Sequence, residues 1–259
     1  MDLFNTRLER GIPQLGVWLN LGSAVSAEIA ALAGYDWLLV DLEHGSGDYR
    51  DLSQQLWAAQ ASHSAVIVRA PALWAPDIKR VLDLGPHGIM LPNIENADQA
   101  VAAVKAVRIP PLGSRGAATS TRASGYGYGY EAYVQKSNSS LLLVVQIESV
   151  EGLANVHQIA AVDGIDVLFV GPLDLSISMG VRDPLRDERF RKALVSVVEA
   201  AHRSGKSAGI LARNETEADS YLSIGFRLVA AGSDRGFLAS AMRKGADALR
   251  MLVTRASDQ

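Results

Sequence analysis

The sequence predicts a (β/α)₈ barrel, and three observations support that prediction. The chain has 259 residues, a length common for such barrels. Short apolar runs rich in β-branched residues alternate with helical patterns, giving eight strand–helix units in strict order. Polar residues stand where several of these runs end, and in parallel barrels ligands bind at that edge. A doubly wound sheet with two extra strands is the alternative.

Each apolar run is too short for a buried helix and is expected to form a strand buried on both faces. In chain order the predicted strands are Leu15–Leu21, Trp37–Glu43, Ala65–Ala70, Gly88–Asn93, Leu141–Glu148, Val167–Pro172, Ser207–Ala212 and Arg227–Gly232. The predicted helices are Ser23–Ala33, Asp48–Ser62, Pro76–Leu84, Asn96–Val107, Val150–Ala160, Asp187–Ser204, Glu215–Ile224 and a last one from about Asp234 to Val253. Glycines such as Gly34 and Gly225 stand where helices end, as C-terminal caps do.

Composition narrows the classes of partner. The net charge is −3, and no basic run suggests binding to nucleic acid or to an anionic membrane surface. The absence of cysteine excludes disulfides and thiolate chemistry, and favours a reducing cytoplasm. No apolar stretch approaches the roughly 18–20 residues that span a bilayer, and the first residues resemble no signal peptide. We therefore expect a cytoplasmic protein with one domain, whose core covers about residues 15–253.

Polar side chains from four predicted strands should meet at one edge of the barrel. The residues at these strand ends are Asp41, Glu43, His44, Arg69, Gln146, Glu148, Gly171, Pro172 and Asp174. Of five histidines, only His44 follows the carboxyl end of a strand. Its imidazole can move a proton near neutral pH, and a carboxylate beside it would orient the ring and raise its basicity. Asp41 and Asp83 are the candidate partners.

The other rim residues suggest metal-assisted chemistry. Glu148 and Asp174 end neighbouring strands, so they could share one hard divalent cation and leave its shell open to substrate and water. The alternative is that both acids cap the following helices. Arg69 is a planar cation suited to a carboxylate or a developing enolate. None of the six lysines is well placed for an imine, so an enolate at a metal is the favoured chemistry.

One segment interrupts the alternation of strands and helices. Residues 109–130 are rich in glycine and small polar residues and contain Arg115 and Arg122. Long loops inside compact domains are usually functional or disordered. A solvated loop is the simpler interpretation, but the two arginines and the Tyr-Gly repeats favour binding or assembly. By chain order the loop starts on the face opposite the site, so it could reach a neighbouring subunit's site more easily than its own.

Several stretches of this chain resemble the HpcH/HpaI aldolase family. They are residues 37–45 (WLLVDLEHG), 68–71 (VRAP), 110–116 (PPLGSRG), 146–148 (QIE), 171–176 (GPLDLS) and 232–234 (GSD). The similarity runs from about Leu15 to Leu238 in consistent order. The resemblance implies a class II aldolase, a carbon–carbon lyase on a (β/α)₈ barrel. Such an enzyme reversibly cleaves a 4-hydroxy-2-oxo acid to an aldehyde and pyruvate, or a close 2-oxo acid such as hydroxypyruvate, in the catabolism of aromatic or sugar acids.

The resemblance also implies roles for individual residues. It implies that Glu148 and Asp174 hold Mg²⁺, Mn²⁺ or Co²⁺, without an organic cofactor, and that His44 is the acid/base. It also implies that Arg69 stabilises the enolate and that Asp83 raises the basicity of His44. The residues it implies for substrate binding are Gln146, Gly171, Leu173, Asp174 and Arg69. Leu173 stands where a small alanine is common, and residues 92–96 (PNIEN) replace a common Pro-Met-Val run. These departures leave the substrate open.

The resemblance implies an assembly as well, a hexamer built as a dimer of trimers that exchange C-terminal helices. The predicted last helix carries more apolar surface than one barrel flank needs, which favours such a partner. We therefore expect Arg122 and residues 125–130 to approach a neighbour's site, and Asp83 to reach His44 across the same boundary. Three alternatives stay open: a citrate-lyase-type acyl-CoA lyase, a phosphoenolpyruvate-using enzyme, and a non-catalytic binding barrel, against which the concentration of polar residues at one rim argues.

Overall fold

Eight parallel strands close into one barrel in this computed structural model, which describes residues 3–257. The strands pair in sequence order, and β8 pairs with β1 to complete the ring. Their bounds are β1 (Gln14–Leu19), β2 (Trp37–Asp41), β3 (Ala65–Arg69), β4 (Gly88–Leu91), β5 (Leu142–Ile147), β6 (Val167–Val170), β7 (Ser207–Ala212) and β8 (Leu228–Ser233). With helices between the strands, this architecture confirms the predicted (β/α)₈ barrel.

The helices follow the predicted order, with three additions. Their bounds are α1 (Leu3–Glu9), α2 (Ala24–Leu32), α3 (Tyr49–Ala58), α4 (Ala75–Asp83), α5 (Ala97–Val107), α6 (Tyr130–Ser140), α7 (Val150–Ala154), α8 (Val156–Ala160), α9 (Pro172–Ser178), α10 (Glu188–Arg203), α11 (Glu215–Ile224) and α12 (Asp234–Ser257). The sequence did not predict α1, α6 or α9. The helix expected over residues 150–160 is divided at Asn155 into α7 and α8. Among the described residues, no helix is long and apolar enough to cross a membrane.

An aromatic cluster fills the inside of the barrel. Trp18, Trp37 and Phe169 pack with ring centroids 5.6–6.4 Å apart, and full burial of such a side chain contributes about 1.5–3 kcal/mol. Gly16 and Gly209 make room for the rings. A Cβ atom at Gly16 would lie 2.3 Å from the Trp37 ring, and one at Gly209 would lie 2.5 Å from the Phe169 ring. Side chains of α1 join this cluster, so α1 closes the amino end of the barrel.

Several strands end earlier than predicted, because side chains at the rim bind backbone amides that a longer ladder would use. The Asp41 carboxylate accepts the backbone N–H groups of Glu43 and His44 at 3.0 and 3.2 Å. Ser149, directly after the predicted end of β5, accepts the N–H of Gly152 and caps α7. Of the acids expected at strand ends, Asp41 is the last residue of β2, Glu43 and Glu148 lie in the loops that follow, and Asp174 lies in α9. All four remain at the carboxyl rim.

The long segment between β4 and β5 is tied to its own barrel. It contains a 3₁₀ helix at Arg122–Gly127 and continues into α6. Arg115 is buried and donates to the carbonyl of Val107 and to the hydroxyl groups of Tyr133 and Ser137, each at 2.7 Å. Arg122 donates to the carbonyls at the C-terminal end of α4. Within one chain, both arginines therefore hold the segment in place rather than present it to a ligand.

The last helix, α12, leaves the barrel surface. It contacts β1 and β8, yet every residue from Arg235 to Ala256 is exposed. Its exposed apolar side chains are Phe237, Leu238, Met242, Leu249, Met251, Leu252 and Val253. On α2, an apolar stripe at Val25, Ile29 and Leu32 is exposed too. In a closed ring of helices, the helix after the eighth strand lies beside the helix after the first. Because α12 does not pack there, the apolar stripe on α2 stays uncovered.

Candidate active site

A buried ion pair joins the carboxyl ends of β2 and β3. Asp41 and Arg69 are partners in the strand register, and the guanidinium donates from Nε and Nη2 to the two carboxylate oxygens at 2.9 and 2.8 Å. Burial opposes ionisation of Asp41, but the hydrogen bonds and charge of Arg69 outweigh it and lower the pKa of Asp41. A bidentate pair of this kind fixes the plane of the guanidinium. Asp41 thus orients Arg69 and stays ionised.

The turn after β2 brings Glu43 and His44 next to this pair. It needs a glycine at position 45, because a Cβ atom there would lie 1.9 Å from the carbonyl oxygen of Asp41. Arg69 Nη1 lies 2.8 Å from Glu43 Oε2. The same oxygen lies 4.0 Å from Nε2 of His44, whose side chain is 69% exposed. The carboxylate nearest the imidazole is therefore that of Glu43. This corrects the expected pairing, since Asp41 contacts the main chain of His44 instead of its ring.

Asp83 lies far from His44 within one chain. It is the last residue of α4, which places it at the amino end of the barrel, opposite the rim. Burial raises the pKa of its carboxyl group against the opposing charges of Arg115 and Lys79. Its Oδ1 is buried without a hydrogen-bond partner among residues 3–257. The expected influence of Asp83 on His44 would need a neighbouring subunit, and it stays a prediction.

Glu148 lies at the rim above β5, where two negatively charged neighbours face one positively charged neighbour. Its Oε1 accepts the N–H of Asn93 at 2.8 Å, and its Oε2 accepts from Nε2 of Gln146 at 3.0 Å. Burial raises the pKa of Glu148 to about 7, and the negative charges of Glu43 and Asp174 act in the same direction. Asp174 is exposed in the first turn of α9. A half-buried carboxylate with two acids around it favours a bound cation.

The residues around Glu148 fit a hard cation with an open coordination shell. Across residues 3–257 there is no cluster of three or more His, Cys, Asp or Glu that could hold a metal, so any metal would rely on two carboxylates, as the sequence predicts. Oε1 of Gln146 is buried and has no hydrogen-bond partner among the described residues. A Cβ atom at Gly171 would lie 2.4 Å from Glu148 Oε2, so this position keeps space free beside the carboxylate. Carboxylate oxygens are the ligands that Mg²⁺ and Mn²⁺ prefer.

Two further residues belong to this rim, and sequence reasoning missed their roles. Asn20 follows β1 and donates from Nδ2 to Asp41 Oδ2 at 2.7 Å. Its signal was present, a polar residue directly after an apolar run, but the predicted strand extended past it to Leu21. The other is Glu43, which only the folded turn identifies as the neighbour of His44. Leu173, expected near the substrate, is 68% exposed in the first turn of α9.

Comparisons with known proteins agree with this architecture. The family model described as HpcH/HpaI aldolase/citrate lyase matches residues 14–241. The chain is 41% identical to the hydroxypyruvate/pyruvate aldolase of Paraburkholderia phytofirmans, over 95% of this chain and 96% of that protein. It is also 41% identical to the 5-keto-4-deoxy-D-glucarate aldolase of Enterobacter sp., over 96% and 98%. The solved structure of an HpcH/HpaI aldolase/citrate lyase family protein from Burkholderia cenocepacia has a TM-score of 0.90 at 38% identity, covering 96% of this chain and all of that one.

These matches span the barrel and the rim residues quoted above. They confirm the resemblance found in the sequence and the expectation of a carbon–carbon lyase. The chain belongs to the HpcH/HpaI aldolase/citrate lyase family.

Proposed function

We propose that this protein is a divalent-metal-dependent class II aldolase. It would reversibly cleave a 4-hydroxy-2-oxo acid to an aldehyde and pyruvate, or a close 2-oxo acid such as hydroxypyruvate. The observation that carries the proposal is the fixed guanidinium of Arg69, whose charge acts on Glu148, a half-buried carboxylate whose pKa burial raises to about 7. The names of the two aldolase relatives support a 2-oxo acid as substrate class. A cytoplasmic role in the catabolism of aromatic or sugar acids stays a prediction.

Glu148 and Asp174 would hold the cation, with Mg²⁺, Mn²⁺ and Co²⁺ as candidates. When bound, it would supply a Lewis acid for the 2-oxo group of the substrate. Gln146 lies next to Glu148 and has a free amide oxygen among the described residues, so it is placed to accept a hydrogen bond from substrate or water. Gly171 keeps the adjoining space open.

Arg69 would stabilise the negative charge of the enolate. Its hydrogen bonds with Asp41 occupy two of the five guanidinium donors, and Nη1 forms an ion pair with Glu43. Donors on Nη1 and Nη2 are left for an oxyanion. Both partners are carboxylates, so the guanidinium is held in one orientation before substrate arrives. Removing one such oxyanion donor typically costs about 3–4 kcal/mol of transition-state stabilisation.

His44 would move the proton of the substrate's 4-hydroxyl group. In cleavage the imidazole accepts this proton, the C3–C4 bond breaks, and the aldehyde leaves. The electron pair of that bond remains as the enolate of the 2-oxo acid, and protonation at C3 gives pyruvate. In the addition direction the imidazolium returns the proton to the alkoxide. The exposed ring beside Glu43 is accessible for both directions.

The test is pyruvate release from a panel of 4-hydroxy-2-oxo acids, with and without EDTA. We expect EDTA to abolish release and Mg²⁺, Mn²⁺ or Co²⁺ to restore it. Borohydride with pyruvate should leave the protein mass unchanged, whereas a trapped lysine adduct would contradict the proposal. Turnover of an acyl-CoA or of phosphoenolpyruvate, without pyruvate release from any panel member, would favour one of the two alternative chemistries.

We propose further that the protein assembles as a hexamer, a dimer of trimers that exchange α12. The support is the pair of uncovered apolar surfaces, one on α12 and one on α2. In such an assembly Asp83, Arg122 and residues 125–130 would approach a neighbour's site. Replacing Met242 and Leu249 together by Asp should dissociate the oligomer on a sizing column and lower activity. Lys244→Asp, on the opposite side of the helix, is the control, and an unchanged oligomer in the double variant would refute the exchange.

A further inference from the structure

The first residue of α12 is hydrogen-bonded to the loop that follows β1. Asp234 Oδ1 accepts the N–H of Asn20, 214 residues away in the sequence, at 2.8 Å. Asp234 Oδ2 accepts the N–H of Leu21 at 3.3 Å and the hydroxyl of Ser26 at 2.7 Å. In its own helix the carboxylate accepts the N–H of Arg235. One carboxylate therefore fixes the start of the β1–α2 loop across the junction where the barrel closes.

Arg235 ties the same loop to the loop after β2. Its Nη2 donates to the carbonyl of Asn20 at 2.9 Å and to the hydroxyl of Ser46 at 3.1 Å. The N–H of Ser46 donates to the same carbonyl at 2.8 Å. The two loops touch through glycines, because a Cβ atom at Gly22 would lie 2.7 Å from Cα of Gly47. The loop that carries His44 is thus held against the loop that carries Asn20.

Asn20 connects these two loops to the buried ion pair of Asp41 and Arg69. Its main chain is held on both sides, by Asp234 and by the Arg235–Ser46 contacts. Its side-chain Nδ2 donates to Asp41 Oδ2 at 2.7 Å, the oxygen that also accepts Arg69 Nη2 at 2.8 Å. Three hydrogen-bonded steps therefore lead from the start of α12 to the guanidinium of Arg69.

We propose that Asn20 and Asp234 are positioning residues for Arg69, an inference that rests on the proposed role of Arg69 in stabilising the enolate. The carboxylate of Asp41 accepts five hydrogen bonds, two of them from Arg69. Without the Asn20 amide, Oδ2 keeps one donor, and the plane of the Asp41–Arg69 pair is free to tilt. Displacements of about 1 Å at a reacting centre can cost about 100-fold in rate.

The contacts of Asp234 distinguish this role from ordinary helix capping. A cap satisfies the first amides of its own helix. Of the four hydrogen bonds that Asp234 accepts, three come from residues 20, 21 and 26. By contrast, the side-chain hydrogen bonds of Asp187, the acid before α10, come from Arg189 in the first turn of that helix. Asp187→Ala is therefore a matched control for the loss of an acid at a helix start.

The experiment compares Asn20→Ala, Asp234→Asn and Asp187→Ala with the wild-type protein in the presence of Mg²⁺. We expect Asn20→Ala to lower kcat for aldol cleavage and the rate of proton exchange at C3 of pyruvate by about 10- to 100-fold, the range typical of such supporting residues. KM should change little, and Asp234→Asn should give a smaller loss in the same direction. Asp187→Ala should keep the wild-type kcat. Asn20→Asp, which has the same size, replaces Asn20→Ala if that variant does not fold.

A second background separates positioning from general structural support. In an Arg69→Lys protein, where the bidentate pair with Asp41 is already lost, Asn20→Ala should lower kcat no further. An equal fold-loss in both backgrounds, or a full kcat in Asn20→Ala, would overturn the inference. Failure of the proposed function has a different result: the wild-type protein itself would not exchange pyruvate protons with Mg²⁺ present.

Discussion

The two ends of the barrel each contain a buried arginine paired with an aspartate, and the two pairs are used differently. At the amino end, Arg108 donates to Asp166 at 3.0 Å and otherwise to backbone carbonyls. These carbonyls belong to Asn138, Leu141 and Gly164. At the carboxyl end, the hydrogen bonds and ion pairs found for Arg69 within the described residues go to carboxylates alone. The hydrogen bonds of Arg108 connect segments of the chain, whereas Arg69 keeps some of its guanidinium N–H donors free.

The two pairs also differ in how far the charges around them are balanced. Burial raises the pKa of Asp166 although Arg108 opposes it, and Arg108 gathers carbonyl oxygens that need donors. Around Arg69, the acids Glu43 and Glu148 interact with one guanidinium. The carboxyl rim thus retains negative charge that its own residues do not neutralise. A buried ion pair therefore indicates a functional site when charges around it are left without a partner, as at the carboxyl rim.

The largest expected effect compares one histidine from each end. His44→Ala should lower aldol cleavage by about 10²- to 10⁴-fold, because it removes the proposed acid/base. His202→Ala, an exposed histidine in the last turn of α10 at the amino end, should leave cleavage unchanged. Steady-state kinetics of pyruvate release measure both. Calorimetry with Mn²⁺ should show nearly intact metal affinity in His44→Ala, and loss of the metal would make His44 a ligand instead.

The second comparison replaces the two arginines. Arg69→Ala should lower cleavage and pyruvate proton exchange together by about 10²- to 10³-fold, since both pass through the enolate. Arg108→Ala should leave the rate per folded molecule unchanged and lower the free energy of unfolding by about 1–3 kcal/mol, because the carbonyls of Asn138, Leu141 and Gly164 lose their donor. Kinetics and urea denaturation at one protein concentration measure the two outcomes. Equal losses of rate in both variants would remove the distinction between the two ends.

The sequence predicted those features of the two barrel ends that depend on the pattern of hydrophobic residues. All eight strands were predicted, because buried parallel strands are short apolar runs, and their ends placed Asp41, Arg69 and Glu148 at one rim. The pattern could not reveal α6, whose one buried residue is Ser137, because a helix without an apolar stripe has no periodic signal. The choice of Glu43 as neighbour of His44 depends on a turn geometry that residue types alone do not determine.

Two other expectations depended on contacts between distant segments. The resemblance paired Asp83 with His44 across a subunit boundary; chain direction places Asp83 at the amino end of its own barrel, so that pairing stays a prediction. Arg115 and Arg122 suggested binding, because an exposed arginine and one that holds carbonyls look alike in a sequence. Such distinctions need the folded chain, since hydrogen-bond partners of long side chains are set by tertiary packing.

The smallest expected effect concerns stability and pH. The pKa of Glu148 is raised to about 7 from 4.5, so the folded metal-free protein holds this proton more tightly than the unfolded chain. The stabilising contribution is present below pH 4.5 and is lost as the pH rises through 7. Glu148→Gln should therefore raise the free energy of unfolding at pH 8 in EDTA by about 2–3 kcal/mol and change it little at pH 4. Urea denaturation at both pH values checks this, and a destabilised variant at pH 8 would contradict it.

The most direct test of the account is exchange of the pyruvate methyl protons with D₂O, followed by NMR. This reaction requires enolate formation at the carboxyl rim and needs no knowledge of the aldehyde. We predict exchange by the wild-type protein with Mg²⁺, none in EDTA, strongly slowed exchange by Arg69→Ala, and a wild-type rate per folded molecule for Arg108→Ala. Exchange that persists in EDTA, or at the wild-type rate in Arg69→Ala, would contradict the assignment of the enolate site to this rim.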